Sequence, residues 1–215
     1  MLTADLYYSF RSPYSYLAIG RYRQLTRDWQ LRIDLNPVYP IAIRNPAFFD
    51  KANPLWVPYL LSDVVRVAEF KAIPFQWPRP DPVAMDRETR QISPDQPHIH
   101  RLTRLGVLAA RRGKGLAFAA EIGHTLWGEG VEDWHLPENL AVPVARAGLD
   151  LDDLDTELAG QEDALDEEIQ RNQADQERAG HWGTPCLVFD GEPFFGQDRI
   201  DMAVWRMQQK GLQAA

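Results

Sequence analysis

The sequence predicts an α/β fold in which a helical insertion separates the two halves of a small sheet. Three observations predict it. Residues 1–39 contain two strand-like segments around a helix, residues 40–178 show mostly helical patterns, and residues 179–215 return to strands before a last helix. The 215 residues are 45% hydrophobic, which suits one domain with a large insertion. We therefore expect residues 1–39 and 179–215 to form one domain and residues 40–178 to form the insertion.

The first half of the predicted sheet is a strand–helix–strand unit. Asp5–Phe10 (DLYYSF) is rich in strand formers, and Leu31–Tyr39 alternates apolar and polar residues until Pro37 breaks it. Between them, Ser12 is a good N-cap and Pro13 a good first residue for a helix with apolar residues at helical spacing. A right-handed crossover would make the two strands parallel.

The middle of the chain shows few strand signals. Helical patterns occupy Leu55–Phe70, His98–Arg112, Leu116–Trp127, Pro137–Ala147, Leu149–Leu158 and Asp163–Ala179. Pro143 lies inside one of them and is expected to kink or split it. The tail contains an apolar strand, Cys186–Asp190, an antiparallel partner from Pro193, and a last helix capped by Asp198. Without the helical block, the order of elements is that of thioredoxin.

Composition and charge exclude several classes of function. The chain has 31 acidic and 23 basic residues, a formal net charge of -8, which repels a phosphate backbone, so we expect no nucleic-acid partner. No apolar run approaches the roughly 18 residues of a membrane span, and the first residues lack the pattern of a secretory signal. The single cysteine, Cys186, cannot form an internal disulfide, and together these features predict a cytoplasmic protein.

The motif Ser12-Pro13-Tyr14-Ser15 stands where the first strand meets the first helix. This place carries Cys-x-x-Cys in thioredoxin-type proteins, and serine at both cysteine positions rules out dithiol exchange here. A helix N-terminus still offers free N–H groups and a positive dipole end, and a hydroxyl there can donate to the thiolate of a ligand. Taken alone, the motif is explained more simply as a helix start.

A second motif, Gly183-Thr184-Pro185-Cys186, precedes the apolar strand of the tail. A cis bond before Pro185 would leave the backbone of Thr184 free to pair with a peptide-like ligand, although only about one X–Pro bond in twenty is cis. Cys186 is expected to behave as a small buried hydrophobe.

A third motif, Phe195–Arg199 (FGQDR), opens the last helix. Its N–H groups can hold a carboxylate, and Asp198 can accept from an ammonium group. The simpler alternative is that Asp198 is only an N-cap and Arg199 a surface residue.

In this order the segments YYSFRSPYSYLA, LWGEG, GTPCLVF and FFGQDR resemble the 2-hydroxychromene-2-carboxylate isomerases, relatives of the kappa-class glutathione transferases. The wider group includes bacterial disulfide oxidoreductases with the same helical insertion. The resemblance covers nearly the whole chain and is most specific at its two ends. It implies a thioredoxin-like fold, a small-molecule substrate and, by analogy with related proteins, a homodimer.

The resemblance also implies that glutathione is bound as the cofactor. Ser12 would hold its sulfur as a thiolate, and Thr184, before a cis Pro185, would pair with its cysteinyl backbone. The residues expected around its γ-glutamyl end are Phe195, Gly196, Gln197 and Asp198. In the family reaction the thiolate adds to a conjugated carbon, a bond rotates, and glutathione leaves, which is covalent catalysis with a borrowed nucleophile.

Polar residues after the second strand are the candidates for substrate binding, namely Arg44, Asn45 and Asn53. Asn45 and Asn53 each precede a proline, so shaping a turn is the simpler role for both. His98 and His100 lack a further ligand at metal-binding spacing, so no metal site is expected.

Three functions are compatible with these residues. The resemblance favours a glutathione-dependent cis-trans isomerase acting on a small aromatic or unsaturated acid. A glutathione transferase would use the same thiolate but release a conjugate, and a thioredoxin-fold binding protein would not activate a thiol at all.

Trp127 is expected to pack between insertion and sheet, and His181 and Trp182 to lie in the site or in its supporting loop.

Overall fold

Four strands form one mixed sheet. They are β1 (Leu2–Tyr8), β2 (Leu31–Pro37), β3 (Cys186–Phe189) and β4 (Glu192–Phe195). The order across the sheet is β2-β1-β3-β4; β1 and β2 are parallel, β3 runs antiparallel to β1, and β4 runs antiparallel to β3. The structure is a computed structural model, and it describes residues 1–86 and 91–215.

The helices of the described residues have the following bounds: α1 Pro13–Asp28, α2 Ile41–Arg44, α3 Phe48–Lys51, α4 Trp56–Phe70, α5 Ile99–Arg111, α6 Gly115–Gly123, α7 Pro137–Arg146, α8 Leu151–Leu158, α9 Glu162–Arg178 and α10 Ile200–Gln209. The thioredoxin-like fold is thus confirmed, with the predicted block of helices between β2 and β3. None of these helices is long and apolar enough to cross a membrane.

The strand–helix–strand unit forms as predicted, with shifted bounds: β1 runs over Leu2–Tyr8 instead of Asp5–Phe10, and β2 ends at Pro37 instead of Tyr39. β1 ends at Tyr8, because the chain then turns so that the Ser12 N–H donates to the Ser9 carbonyl over 3.0 Å. This turn brings Ser12 to the N-cap of α1 and places Tyr22 and Leu25, both fully buried, against the sheet. The carboxyl end of β1 and the start of α1 therefore meet at one edge of the molecule.

The predicted helices of the insertion form, with local departures. Two four-residue helices, α2 and α3, occupy a stretch without a helical pattern. α7 continues through Pro143 instead of splitting there. α6 ends at Gly123, and the chain continues as a π-helical turn, His124–Gly128. Within this turn, Trp127 Nε1 donates over 3.2 Å to the carbonyl of Phe10, two residues after β1.

The insertion and the sheet share one hydrophobic core. The buried face of α5, which includes Leu105 and Leu108, packs on β2 and belongs to the same cluster as Leu6 and Tyr22 of the sheet domain. An inserted helix that contributes to the main core cannot move independently of it without exposing apolar surface. The helices thus hold fixed positions around the edge where α1 begins.

Candidate functional site

The N-terminus of α1 is the first component of the candidate site. The Ser12 hydroxyl accepts from the Ser15 N–H over 3.2 Å, so its capping role is confirmed, and it donates to the Thr184 carbonyl over 3.1 Å. Pro13 has no N–H, and the Tyr16 N–H donates to the Ser12 carbonyl. In the described part of the chain, this leaves the Tyr14 N–H without an acceptor in the first turn, where an anion is favoured.

The second component is the loop before β3, residues 181–185. The Thr184–Pro185 bond is cis, as the resemblance implied. Four successive carbonyls of the loop each accept a hydrogen bond from a different part of the fold. The pairs are Trp182 with Arg44 Nη2 (2.8 Å), Gly183 with Gln176 Nε2 (2.7 Å), Thr184 with Ser12 Oγ (3.1 Å) and Pro185 with the Gly196 N–H (2.8 Å). We call residues 181–185 the clamped loop.

The Thr184 N–H is a half-buried donor of the clamped loop that no acceptor meets in the described part of the chain. The Gly183 N–H donates to His181 Nδ1 over 2.9 Å, and Pro185 has no N–H. Across residues 1–86 and 91–215, no acceptor meets the N–H of Thr184. Because buried or half-buried backbone donors are nearly always paired, this group is a natural anchor for the carbonyl of a peptide-like ligand.

The segment from Phe195 to Asp198 borders the loop on its other side. The Phe195 ring is 43% exposed and stacks on His181 at a centroid distance of 4.0 Å. Gly196 has φ 99°, which suits glycine, and Gln197 Oε1 is buried without a partner among the described residues. An open groove of about 560 Å³ includes Phe195 and Asp198 in its wall.

The prediction that Asp198 caps the last helix is wrong. Arg199 occupies the N-cap position of α10, and no side chain caps the helix there. The Asp198 carboxylate instead accepts from Arg199 Nη1 over 2.7 Å and stays exposed. Since the cap is not its role, the carboxylate is available to a ligand cation at the cost of a weak surface ion pair.

The substrate-side candidates occupy different environments. Arg44 lies against the clamped loop, and its Nε and Nη1 are buried with no partner among the described residues; burial lowers the pKa of the guanidinium. Asn45 is exposed at the end of α2, and Asn53 is exposed with its Oδ1 accepting from the Leu55 N–H over 2.9 Å. The structure therefore brings Arg44 to the loop and gives the two asparagines turn-shaping contacts.

Several side chains near the site carried no local sequence signal. The Tyr14 hydroxyl donates to Asp63 of α4 over 2.6 Å; burial, and next the bonded Asp63, raise the pKa of Tyr14. The Gln176 side chain of α9 donates to the Gly183 carbonyl of the clamped loop. Both contacts join residues separated by the insertion boundary, so no periodicity or spacing could have found them.

Aromatic side chains lie on both sides of the region formed by the start of α1 and the clamped loop. Trp127 is 3% exposed, as expected of a residue packed between insertion and sheet, and Phe75 stacks on it at 5.8 Å. On the loop side, Trp182 is 41% exposed and meets Phe48 of α3 at 5.0 Å. A planar or apolar ligand group would find contacts on either side.

The single cysteine does not belong to the reactive surface. Cys186 is fully buried in β3, directly after the cis proline. Burial raises the pKa of its thiol to about 12. At neutral pH it is a neutral, enclosed thiol, which agrees with the prediction of a small buried hydrophobe.

These features together define a class of protein. A helix N-terminus that contacts a cis-proline loop, on a four-stranded sheet of order β2-β1-β3-β4, is the arrangement of a thioredoxin-like fold. The DSBA-like thioredoxin domain family matches residues 3–208, and the chain belongs to this family.

Solved structures show the same fold in proteins of low sequence identity. The chain is similar to a 2-hydroxychromene-2-carboxylate isomerase at 22% identity and a TM-score of 0.72, with 97% of this chain and 95% of that chain covered. It is similar to a probable DsbA oxidoreductase from Streptomyces coelicolor at 15% identity and a TM-score of 0.66, covering 97% and 89%.

A third similar structure is the cytosolic disulfide reductase DsbM from Pseudomonas aeruginosa, at 18% identity and a TM-score of 0.60, covering 97% of this chain and 99% of that chain. A structure of DsbM with GSH also matches, at 16% identity and a TM-score of 0.58, covering 97% and 100%. The comparison with curated proteins gives no significant match.

Proposed function

We propose that this chain binds glutathione at the clamped loop and acts as a glutathione-dependent isomerase of the 2-hydroxychromene-2-carboxylate type. One observation carries the proposal: the ligand-binding groups of a thioredoxin site are present, but the chain has no usable thiol of its own. Serine occupies both positions of the dithiol motif, and Cys186 is buried with a raised pKa. The nucleophile must then come from a bound thiol.

The free groups of the site match the groups of glutathione. The Thr184 N–H would donate to the cysteinyl carbonyl, which places the sulfur beside Ser12 and the first turn of α1. The Ser12 hydroxyl has one hydrogen, now directed to the Thr184 carbonyl. If the cysteinyl N–H pairs with that carbonyl, the hydroxyl is released to donate to the sulfur instead.

The γ-glutamyl end fits the segment from Phe195 to Asp198. The exposed Asp198 carboxylate would accept from the α-ammonium group, and the half-buried Gln197 would gain a partner for its Oε1, which has none among the described residues. Phe195 and Gly196 would form the apolar and backbone wall of the same pocket. All these contacts use described groups that are exposed or unpaired.

Bound glutathione would supply a nucleophilic thiolate whose reversible addition to a conjugated carbon permits rotation about the former double bond. The role of the protein is to stabilise the anion: the Ser12 hydroxyl and the N-terminus of α1 lower the thiol pKa from its usual value of about 8.5. The exposed aromatic side chains would hold a small aromatic or unsaturated acid next to the sulfur, and Arg44, whose Nε and Nη1 have no partner among the described residues, would attract its carboxylate.

The first test is binding. Titration calorimetry with glutathione is expected to give a measurable heat, and glutathione at 100 times Kd is expected to stabilise the fold by roughly 2.7 kcal/mol. A melting temperature unchanged by millimolar glutathione, together with no binding heat, would refute the proposal.

The second test is thiol activation. In Ser12→Ala, the thiol pKa of bound glutathione, read from ultraviolet thiolate absorbance, is expected to rise by about one to two units, since a hydrogen bond to a charged group is worth roughly 1.5–3 kcal/mol. Ser9→Ala is the matched control, because the Ser9 hydroxyl is buried in the same turn without a partner among the described residues. Equal pKa values in wild type and Ser12→Ala would make Ser12 only a helix cap.

Product analysis then separates the enzymatic alternatives. Isomerisation of an unsaturated acid leaves the glutathione concentration unchanged, whereas a kappa-like transferase consumes glutathione and releases a conjugate. Binding without any change of the thiol pKa would identify a non-catalytic binding protein.

A further inference from the structure

The buried face of α9 is apolar in its first half and carries amide side chains in its second half. Leu165 and Ile169, in its first half, are fully buried apolar residues. The next positions on the same face are the amides Asn172, Gln173 and Gln176, at the spacing of successive helical turns. Apolar residues at these three positions would extend the hydrophobic core. The amides instead form hydrogen bonds with backbone groups of the sheet domain.

The three amides meet the two points where the insertion joins the sheet domain. Asn172 Nδ2 donates to the Pro37 carbonyl over 3.0 Å, and Gln173 Oε1 accepts from the Tyr39 N–H over 3.1 Å, where the chain leaves the sheet. Gln176 Nε2 donates to the Gly183 carbonyl over 2.7 Å, where the chain returns to it. One helix of the insertion thus bonds both junctions.

Gln176 is the member that reaches the candidate site. Its side chain is fully buried, and its orientation is unambiguous because a carbonyl can only accept, so the NH₂ group must face Gly183. Its Oε1 is then left buried with no partner in the described part of the chain. A leucine of similar volume would avoid that unpaired oxygen but would leave the buried Gly183 carbonyl without its donor, so the amide is explained by the loop backbone that it holds.

We infer that Gln176 is a positioning residue that fixes the backbone of Gly183 and thereby the direction of the adjacent Thr184 N–H. This inference rests on the proposed function, in which that N–H anchors the cysteinyl carbonyl of glutathione. Gln176 touches no ligand itself. It acts from the insertion, through one hydrogen bond, on the loop that the ligand meets.

The experiment compares Gln176→Leu with Asn172→Leu. Both variants remove one amide-to-carbonyl hydrogen bond from the same face of the same helix, but only Gln176 bonds the clamped loop. We expect the Kd for glutathione to rise about tenfold in Gln176→Leu, equal to about 1.4 kcal/mol, and to stay within twofold of wild type in Asn172→Leu. Equal Kd values in wild type and Gln176→Leu, or equal rises in both variants, would overturn the inference.

Amide hydrogen exchange without ligand separates this inference from the proposed function. We expect the Gly183 amide, which donates to His181 Nδ1, to exchange at least tenfold faster in Gln176→Leu and to keep the wild-type rate in Asn172→Leu. If glutathione does not bind the wild type, the proposed function fails and the exchange rates alone decide whether Gln176 positions the loop; unchanged rates would overturn it. Should Gln176→Leu not fold, Gln176→Met, which keeps an unbranched side chain, enters both measurements with the same expected outcomes.

Discussion

The two polar regions beside the candidate site differ in how their hydrogen bonds are used. In the clamped loop, four successive carbonyls are held by α2, α9, α1 and the segment after β4. After β2, the side chains of Asn45 and Asn53 are exposed, and Asn53 Oδ1 accepts from the backbone N–H two residues further on. One region is fixed by the whole fold, and the other by its own turns.

This difference teaches where specificity for a peptide-like ligand can originate. A donor presented by a backbone that cannot shift loses little entropy on binding, as with the Thr184 N–H. Exposed side chains on short turns lose more freedom when they bind, so the segment after β2 is the less effective anchor. We therefore expect changes in the segment after β2 to leave the proposed glutathione contacts undisturbed.

The largest expected contrast concerns the thiol behind the clamped loop. With the pKa of Cys186 raised to about 12 by burial, its thiolate fraction at pH 7.5 is on the order of 1,000-fold lower than that of an ordinary cysteine. Iodoacetamide labelling followed by mass spectrometry is expected to modify Cys186 only after unfolding. Cys186→Ala is expected to retain glutathione binding and any turnover; fast labelling of the native protein, or loss of turnover in the folded variant, would contradict this.

A methyl group inside the clamped loop is expected to produce the next largest effect. A Cβ at position 183 would lie well inside contact distance of the Phe195 ring and 2.9 Å from His181 Cε1. Gly183→Ala is therefore expected to lower the free energy of unfolding by about 1–3 kcal/mol and to weaken glutathione binding.

The matched control for this change is Gly20→Ala. Gly20 is exposed within α1, and a Cβ there has nothing within 4 Å. Its replacement is expected to raise the free energy of unfolding by about 0.5–1 kcal/mol. A Gly183→Ala variant as stable as Gly20→Ala in urea unfolding would show that the loop is not tightly packed.

A smaller effect is expected from pH. Burial lowers the pKa of His181, and its Nδ1 accepts from the Gly183 N–H, which only the neutral ring can do. Because the folded pKa lies below the unfolded value, the unfolded state binds more protons, and stability falls as pH drops below about 6.5. His98 and His100, whose pKa values burial also lowers, contribute with the same sign.

A comparison of wild type with a His181 variant isolates the contribution of the clamped loop to this pH dependence. His181→Gln keeps an acceptor for the Gly183 N–H but does not titrate. Urea unfolding between pH 5 and pH 8 is expected to show a shallower decline for this variant than for wild type. If the free energy of unfolding declines with the same slope in both proteins, protonation of His181 does not destabilise the clamped loop.

The smallest effects are expected on the other side of the comparison. Asn45→Ala and Asn53→Ala remove exposed side chains, so each is expected to change the free energy of unfolding by no more than about 0.5 kcal/mol. The Kd for glutathione is expected to stay within twofold. A large rise in KM for the substrate with unchanged glutathione affinity would instead assign the asparagine to substrate binding.

Local sequence determined the parts of this protein whose cause is local. Ser12 before Pro13 caps α1 because its hydroxyl reaches an N–H three residues on, and the alternation of Leu31–Pro37 makes a strand whose partner is set by a short crossover. The same reasoning was wrong at the start of α10. Asp198 is a residue type that suits an N-cap, but the helix begins after Arg199.

Only the tertiary structure decided the rest of the site. The Gly183 carbonyl is held by Gln176, the Tyr14 hydroxyl by Asp63, and the Trp127 indole by Phe10, each across the boundary of the insertion. Such pairs depend on how the insertion packs against the sheet, and a side chain that bonds a distant carbonyl has the same sequence signature as one that faces water. The sequence by itself determined which chemical groups are available and the order of helices and strands, whereas folding decided which backbone groups are held and left the Thr184 N–H without an acceptor among the described residues.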